Sequence, residues 1–180
     1  MSERHRTEKT APPAWHVPVA VEDVAETGQH FDLVADAAVR AALARLAGLR
    51  DLPRLEASFD VNRHGAGGLH VAGQVSATVG QNCVVTLEPL VNEVRETVDL
   101  MFLPRPAAGE PDGAGAPAEP KWGDPEALVG GIVDLGAIAA EFLILGLDPY
   151  PRKPGAVFEP VRDRASDGGP FAALAKLAKN

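Results

Sequence analysis

Side chains that could act as nucleophiles or metal ligands are scattered along the chain without the spacing that catalysis needs. No G-x-S-x-G motif presents a serine for acyl transfer, and the five histidines show no H-x-x-x-H or similar metal-binding spacing. Gly65-Ala66-Gly67-Gly68 lacks the Lys-Ser/Thr pair that completes a phosphate-binding loop. Because this segment lies between two predicted strands, it predicts a hairpin turn.

Two amides and the only thiol of the chain form a second candidate site at residues 81–83. Asn is depleted in strands, so Gln81, Asn82 and Cys83 predict a bulge or tight corner. Val84 to Leu87 reads as a short strand that ends before Pro89. Cys83 is interpreted as a small buried hydrophobe. A reactive thiol would need a lowered pKa, and no basic residue lies close in sequence.

A capped helix followed by a proline-rich turn forms a third candidate. Asp134 is predicted as the N-cap, and an apolar stripe at helical spacing follows it: Leu135, Ile138, Phe142 and Leu145. The helix ends near Gly146, and the prolines after it favour an extended chain. This pattern predicts a stiff, basic contact strip at Arg152 and Lys153. The alternative is an ordinary helix end with cations near its negative dipole.

Alternating patterns predict the elements that would position these residues. Period-two runs at 55–61 and 69–79 flank the glycine-rich turn and predict an antiparallel hairpin with one solvated face. A further strand is predicted at 94–102. Asp36 is predicted to cap a helix that ends near Leu46, before Gly48, with Val39, Leu43 and Leu46 on one apolar stripe. The predicted fold class is α+β. It comprises an antiparallel, curled or barrel-like sheet of about five or six strands, two main helices and a short C-terminal helix.

Composition divides the chain into one domain and its appendages. Residues 1–14 are predicted as a disordered tail, and 15–160 as a single domain with a disordered acidic insert at 104–120. Residues 161–180 are predicted as a linker and a short amphipathic helix. Its apolar residues are Phe171, Leu174 and Leu177, and Lys176 and Lys179 lie on its flank. So short a helix is marginal alone, so it must dock on this domain or on something else.

Charge and hydropathy exclude several classes of partner. The formal net charge is −8 at pH 7, so the overall field does not attract nucleic acid. RNA binding would need a local basic patch or a protein intermediary. No apolar run approaches the ~20 residues that span a bilayer, and no secretory signal is recognisable. One cysteine excludes an internal disulfide, and a cytoplasmic location is expected.

The second and third candidates together resemble the YceD family, which is linked to accumulation of large-subunit ribosomal RNA in bacteria. The matching residues are Cys83-Val84-Val85-Thr86-Leu87-Glu88-Pro89, Val133-Asp134-Leu135, Glu141 and Leu147-Asp148-Pro149-Tyr150-Pro151-Arg152-Lys153-Pro154. The hairpin, the insert and the Pro170-Phe171-Ala172 tail resemble the alphaproteobacterial branch. Many members carry Cys-x-x-Cys at the position of Cys83, whereas this chain has Thr86 there. No metal or other cofactor is therefore expected, and hydrogen bonds from Gln81 and Asn82 are expected to hold the corner.

The resemblance implies a cytoplasmic, non-enzymatic factor in large ribosomal subunit biogenesis that binds a ribosomal protein, ribosomal RNA, or both. The acidic balance favours a basic ribosomal protein as partner; no membrane and no small-molecule substrate are expected. Two alternatives stay open: a protein-interaction module unrelated to ribosomes, and a hydrolase that uses carboxylates on the sheet face, such as Glu56, Asp60, Glu93 and Asp99. The candidate interaction residues are Gln81, Asn82, Cys83, Thr86, Glu88, Pro89, Asp134, Asp148, Pro149, Tyr150, Pro151, Arg152, Lys153 and Pro154.

Overall fold

A computed structural model describes residues 14–104 and 125–158 of the 180-residue chain. It has seven strands and two α-helices in these ranges. In chain order they are β1 (Pro18–Ala20), β2 (Gln29–Val34), α1 (Ala37–Leu46), β3 (Asp51–His64), β4 (Gly68–Asn82), β5 (Pro89–Pro104), β6 (Glu126–Leu128), β7 (Ile132–Asp134) and α2 (Leu135–Leu145). A single 3₁₀ turn, Val21–Asp23, follows β1.

The long hairpin that alternation predicts is the centre of the main sheet. β3 and β4 pair antiparallel through twelve registered positions, from Asp51↔Gly80 to His64↔Gly68. Gly65 and Gly67 adopt φ of 55° and 92° in the turn, where side chains other than glycine are strained. β5, which was predicted at 94–102, continues the sheet beside β4. The sheet has the order β2-β3-β4-β5-β6, and β1 and β7 form a separate two-stranded sheet.

Two features of the predicted sheet are wrong. β5 and β6 pair in parallel, so the sheet is mixed and not purely antiparallel. A parallel pair needs a connection of a dozen or more residues, and residues 105–125 supply that length. Nor does the sheet close into a barrel, since its outer strands β2 and β6 do not pair with each other in the described chain. Its apolar face is covered by helix instead: Leu135, Ile138 and Leu143 of α2 belong to the same buried core as Phe59, Val75 and Val98.

Both predicted helices are present with the predicted caps. The Asp36 carboxylate accepts the Val39 N–H at 2.8 Å at the start of α1. At its end, Leu49 N–H donates to Ala44 O and Gly48, at φ 65°, donates to Arg45 O, which is the Schellman arrangement. Leu43 is buried as the stripe predicts, but Leu46 is 69% exposed.

Helix α2 packs closely against the rest of the domain at Gly136 in its first turn and at Gly146, which caps its end. A Cβ on Gly136 would lie 2.9 Å from the Trp15 carbonyl carbon, and one on Gly146 would lie 2.6 Å from Val94. The predicted stripe is right for Leu135 and Ile138 and wrong for Leu145, which is 68% exposed. The buried residue of the last turn is Leu143, because the helix turns its 135–138–139–143 side to the sheet.

The segments outside the long strands and the helices also differ from the prediction or lie outside the described residues. The strand predicted for Val84 to Leu87 is wrong, since these residues form a tight turn between β4 and β5. The N-terminal tail, the acidic insert and the C-terminal helix fall on residues 1–13, 105–124 and 159–180, outside the described chain. Pro104, the first residue assigned to the insert, is the last residue of β5.

Candidate functional site: a thiol corner and a proline-rich turn

The structure brings the two sequence-distant candidate segments together. The thiol corner, residues 81–89, follows β4, and the proline-rich turn, residues 147–155, follows α2. Val84 N–H donates to Pro151 O at 2.9 Å, and the Gln81 side-chain amide donates to Asp148 O at 2.9 Å. Pro151 is buried at this contact. The two segments therefore form one structural unit, joined largely by backbone groups.

A closed turn gives the thiol corner its shape. Cys83 N–H donates to Glu88 O at 2.8 Å, and Leu87 N–H donates to Cys83 O at 2.9 Å. Leu87 has a φ of 60°, a conformation that costs a non-glycine residue about 1–2 kcal/mol. The bonds around Cys83 hold it there, and the Leu87 side chain is left 75% exposed.

The Cys83 sulfur is the centre of the unit. It is buried and accepts three backbone N–H groups at 3.4 Å, from Val85, Thr86 and Lys153. These donors lower the pKa of the Cys83 thiol to about 6, with the Lys153 N–H the largest cause, followed by the Thr86 hydroxyl and N–H; burial acts in the opposite direction. The sequence showed no basic residue nearby, but backbone dipoles supply the positive potential instead.

An ion pair closes the rim of the unit. Lys153 Nζ lies 3.0 Å from Glu88 Oε2, and the Thr86 hydroxyl donates to the same oxygen at 3.2 Å. Lys153 is the largest cause of the lowered pKa of the Glu88 carboxyl. Both side chains are about half exposed. Arg152 is exposed and forms no ion pair with any described residue, so it is the uncompensated cation of the predicted basic strip.

The other predicted residues divide into those inside the unit and those on its surface. Gln81 also accepts the Asn92 side-chain amide at 2.9 Å, as expected of a residue that holds the corner. Asn82 is exposed and pairs with Pro89 at the last register position of β4 and β5, with no side-chain bond to described residues. The sulfur, not Asn82, is the second hydrogen-bonding centre of the corner. Three residues of the turn also point to solvent: Pro149, Tyr150 and Pro154.

Asp134 lies at the opposite end of α2, about 16 Å along the helix from the unit. Its Oδ1 accepts N–H groups from Val17, Gly136 and Ala137 at 2.8, 3.1 and 3.2 Å, and its Oδ2 lies 2.6 Å from His16 Nδ1. Burial raises the pKa of the Asp134 carboxyl, but the bonds from Val17, His16 and Ala137 outweigh it, and the pKa is lowered. Its observed contacts are structural.

Charged side chains form a paired network on the outer face of the main sheet. Arg54 donates to Glu56 and Glu93 at 3.1 and 2.8 Å. His30 lies 2.7 Å from Asp60 and 3.2 Å from Asp32, and Asp60 is the first cause of its raised pKa. His70 and Asp99 form a similar pair at 2.7 Å. Alternation along each strand predicted that these acids lie on a solvated face. It could not predict their basic partners, because these depend on the register between neighbouring strands.

Metal ligation has no candidate cluster in the described ranges. No group of three or more His, Cys, Asp or Glu side chains there could hold a metal ion. At the corner, Thr86 offers a hydroxyl where a second thiolate would be needed. Neither described helix is long and apolar enough to cross a bilayer, the longer being α2 with 11 residues.

Fold and site together define a class of small α+β proteins in which two sequence-distant segments close over a buried thiol. A family model described as "Large ribosomal RNA subunit accumulation protein YceD" matches residues 71–178, and the chain belongs to the YceD family. The match contains both the thiol corner and the proline-rich turn. No individual curated protein and no solved structure matches the chain significantly.

Proposed function

We propose that the protein is a non-catalytic factor in biogenesis of the large ribosomal subunit, and that it acts by binding a basic ribosomal protein. The family description supports the link to large-subunit ribosomal RNA. The partner class rests on one observation, the charge of the outer face of the main sheet. A factor that shields a basic protein before assembly would need such a surface.

The outer face is a broad acidic surface. Strand register puts five carboxylates there against two guanidinium groups: Asp32, Glu56, Asp60, Glu93 and Asp99 with Arg54 and Arg95. Asp32, Asp60 and Asp99 have side chains 77%, 68% and 79% exposed. No described element packs over these groups. A Lys- and Arg-rich segment is the chemical complement of this surface.

Internal pairing keeps the acidic face ordered before a partner arrives. Thr78 is the largest cause of the lowered pKa of Glu93, and Arg54 is the next, so this carboxylate stays ionised well below neutral pH. Arg54 also donates to Ser76 at 2.9 Å, which links β3 to β4 within the network. Pre-ordered side chains lose less entropy on binding.

The hydrolase alternative receives less support from the same groups. General acid–base chemistry needs carboxylates that converge on a substrate position. Here Asp32 and Asp60 share His30, and Glu56 and Glu93 share Arg54, at exposed positions along an open sheet. This arrangement favours a binding surface. A ribosome-independent interaction module is disfavoured by the family assignment.

Affinity capture from the native cell tests the proposal. The wild-type protein should retain a basic large-subunit protein after nuclease treatment. The acidic-face variant Asp32→Asn, Asp60→Asn, Asp99→Asn should capture at least tenfold less of that basic protein than the wild type does. The matched control Glu22→Gln, Asp23→Asn, Glu26→Gln removes three exposed charges outside the main sheet and should retain it. Loss of every partner on nuclease treatment would instead indicate direct binding of RNA.

A further inference from the structure

We infer that the C-terminal segment, residues 170–179 of the same chain, packs into a groove between the ends of α1 and α2. This helix-end groove has a volume of about 450 Å³. Apolar side chains and polar groups line it together. The apolar residues are Ala47, Val84, Ile144, Leu147, Pro149 and Pro151, and the polar ones are Arg50, Gln81, Asn82 and Asp148.

Exposed apolar side chains line the helix-end groove or neighbour its lining residues in sequence. Ile144 and Val84 in its wall are 41% and 44% exposed. Leu46 and Leu145, each adjacent in sequence to a lining residue, are 69% and 68% exposed. Both of these leucines were predicted to be buried by their helix stripes. A covering element would account for that pattern, since contiguous exposed apolar surface marks a contact site.

The parts of the chain outside the structure offer one matching element. Residues 1–13 and 105–124 contain no apolar stripe, whereas Phe171, Leu174 and Leu177 recur at helical spacing. A ten-residue helix would be about 15 Å long and would need a surface to be stable. The family match runs from 71 to 178, so the groove residues from Gln81 onward and residues 170–178 of this segment belong to one matched region.

Charge and reach favour the same occupant. Two helix C-termini, which carry partial negative charge, end at the groove, and the last turn of α2 contains no basic residue. Lys176 and Lys179 of the segment would supply that compensation. The one cation in the lining, Arg50, lies 3.1 Å from Asp51. Pro151 lines the groove, and the eleven residues 159–169 can extend about 36 Å, so the segment can return to it.

A double-mutant cycle on the full chain tests the contact. Leu174→Gln in the segment and Ile144→Gln in the groove should each lower the melting temperature by about 3–6 °C. The combination should lower it no further than the larger single effect, because both remove one contact. A chain ending at Gly169 should melt at about the temperature of the double variant. Since Ile144 is 41% exposed and lies outside the buried core, its substitution should leave the fold intact.

The control pair uses an exposed valine away from the groove. Val129 is 71% exposed, and Val129→Gln combined with Leu174→Gln should give additive shifts. Two outcomes would overturn the inference. One is an unchanged melting temperature for the chain ending at Gly169. The other is a lowered melting temperature with additive Leu174 and Ile144 effects, which would place the segment on another surface.

Discussion

The Cys83 sulfur joins two segments that are 70 positions apart through hydrogen bonds to backbone N–H groups. Its donors come from its own turn, at Val85 and Thr86, and from the proline-rich turn, at Lys153. A thiolate accepts such bonds more strongly than a thiol does. The ionisation of this residue is therefore coupled to the closed state of the corner.

That coupling predicts a pH-dependent stability. The pKa of the folded thiol is about 6, below the value of about 8.5 expected of an unfolded cysteine. A depressed pKa stabilises the folded state fully above the unfolded value and loses that effect as pH falls through 6. The melting temperature of the wild type should thus exceed that of Cys83→Ser by about 3–6 °C at pH 9. The difference should shrink steadily towards pH 5.5.

Thiolate absorbance near 240 nm gives the direct readout on the native protein. It should rise with a midpoint near pH 6, and this rise should be absent from Cys83→Ser. A midpoint near 8.5, together with a pH-independent difference in melting temperature, would mean that Cys83 acts only as a packed side chain.

The residue types at positions 81–83 predicted where the thiol corner lies, but they did not predict the lowered pKa of Cys83. Cys83 and Gln81 stood out because thiols and amides are rare at strand junctions, and both have structural roles at the corner. The donors to the sulfur are main-chain groups, which every non-proline residue carries. Only the fold determines which of them converge, so no residue pattern could have predicted the lowered pKa of Cys83.

Asp134 controls how the elements at the N-terminal end of the domain meet. It ends β7, caps α2 and accepts the Val17 N–H next to β1. Leu135 N–H donates to Val17 O at 2.9 Å, and β1 pairs with β7 at Pro18↔Asp134. One carboxylate therefore organises the small sheet and the start of α2.

Replacing Asp134 with alanine should cost more than replacing an ordinary N-cap. A cap contributes about 0.5–2 kcal/mol, and the unsatisfied Val17 N–H adds a further loss. We expect Asp134→Ala to lower the free energy of unfolding by about 2–3 kcal/mol, measured in urea. Asp36→Ala is the matched control, because Asp36 caps α1 through a single bond to Val39; it should cost about 1 kcal/mol. Equal losses would show that the Val17 bond contributes nothing.

Acid should reduce the Asp134 contribution. The pKa of this carboxyl is lowered in the fold, so its stabilisation is present above the unfolded value of about 3.9 and is lost as pH falls below it. The difference between wild type and Asp134→Asn should accordingly diminish below pH 4.

The long strands were predicted from the sequence pattern, and the shortest strands were missed. β3 to β5 span 14 to 16 residues, so alternation was unambiguous and the hairpin was right. β6 and β7 have three residues each, too few for any period, and the parallel pairing of β6 was missed with them. The error at Leu145 has a different cause: α2 ends there with its last turn beside the helix-end groove.

At the scale of the whole molecule, charge and apolar surface are separated. The outer sheet face carries the excess carboxylates, while the helix-end groove and the exposed Arg152 lie by the thiol corner. Net charge alone suggested a general preference for basic partners. Strand register shows that the excess carboxylates lie on one face, because it determines which acids share a side of the sheet.

The acidic sheet face and the Arg152 surface can be compared as contact sites in cells that express only a variant of this protein. The measurement is the amount of large-subunit ribosomal RNA in growing cells. If a basic ribosomal protein binds the acidic face, the Asp32→Asn, Asp60→Asn, Asp99→Asn variant should reduce the ratio of large- to small-subunit ribosomal RNA by about half or more. Arg152→Glu should then have little effect, since its side chain has no described partner in the fold. Arg152 is a cleaner probe than Lys153, whose side chain pairs with Glu88 and whose N–H donates to Cys83.

The reverse result, a defect with Arg152→Glu and a normal ratio with the acidic-face variant, would move the contact to the proline-rich turn and favour ribosomal RNA as the partner. Equal melting temperatures of the variants ensure that either result reports binding and not loss of the fold.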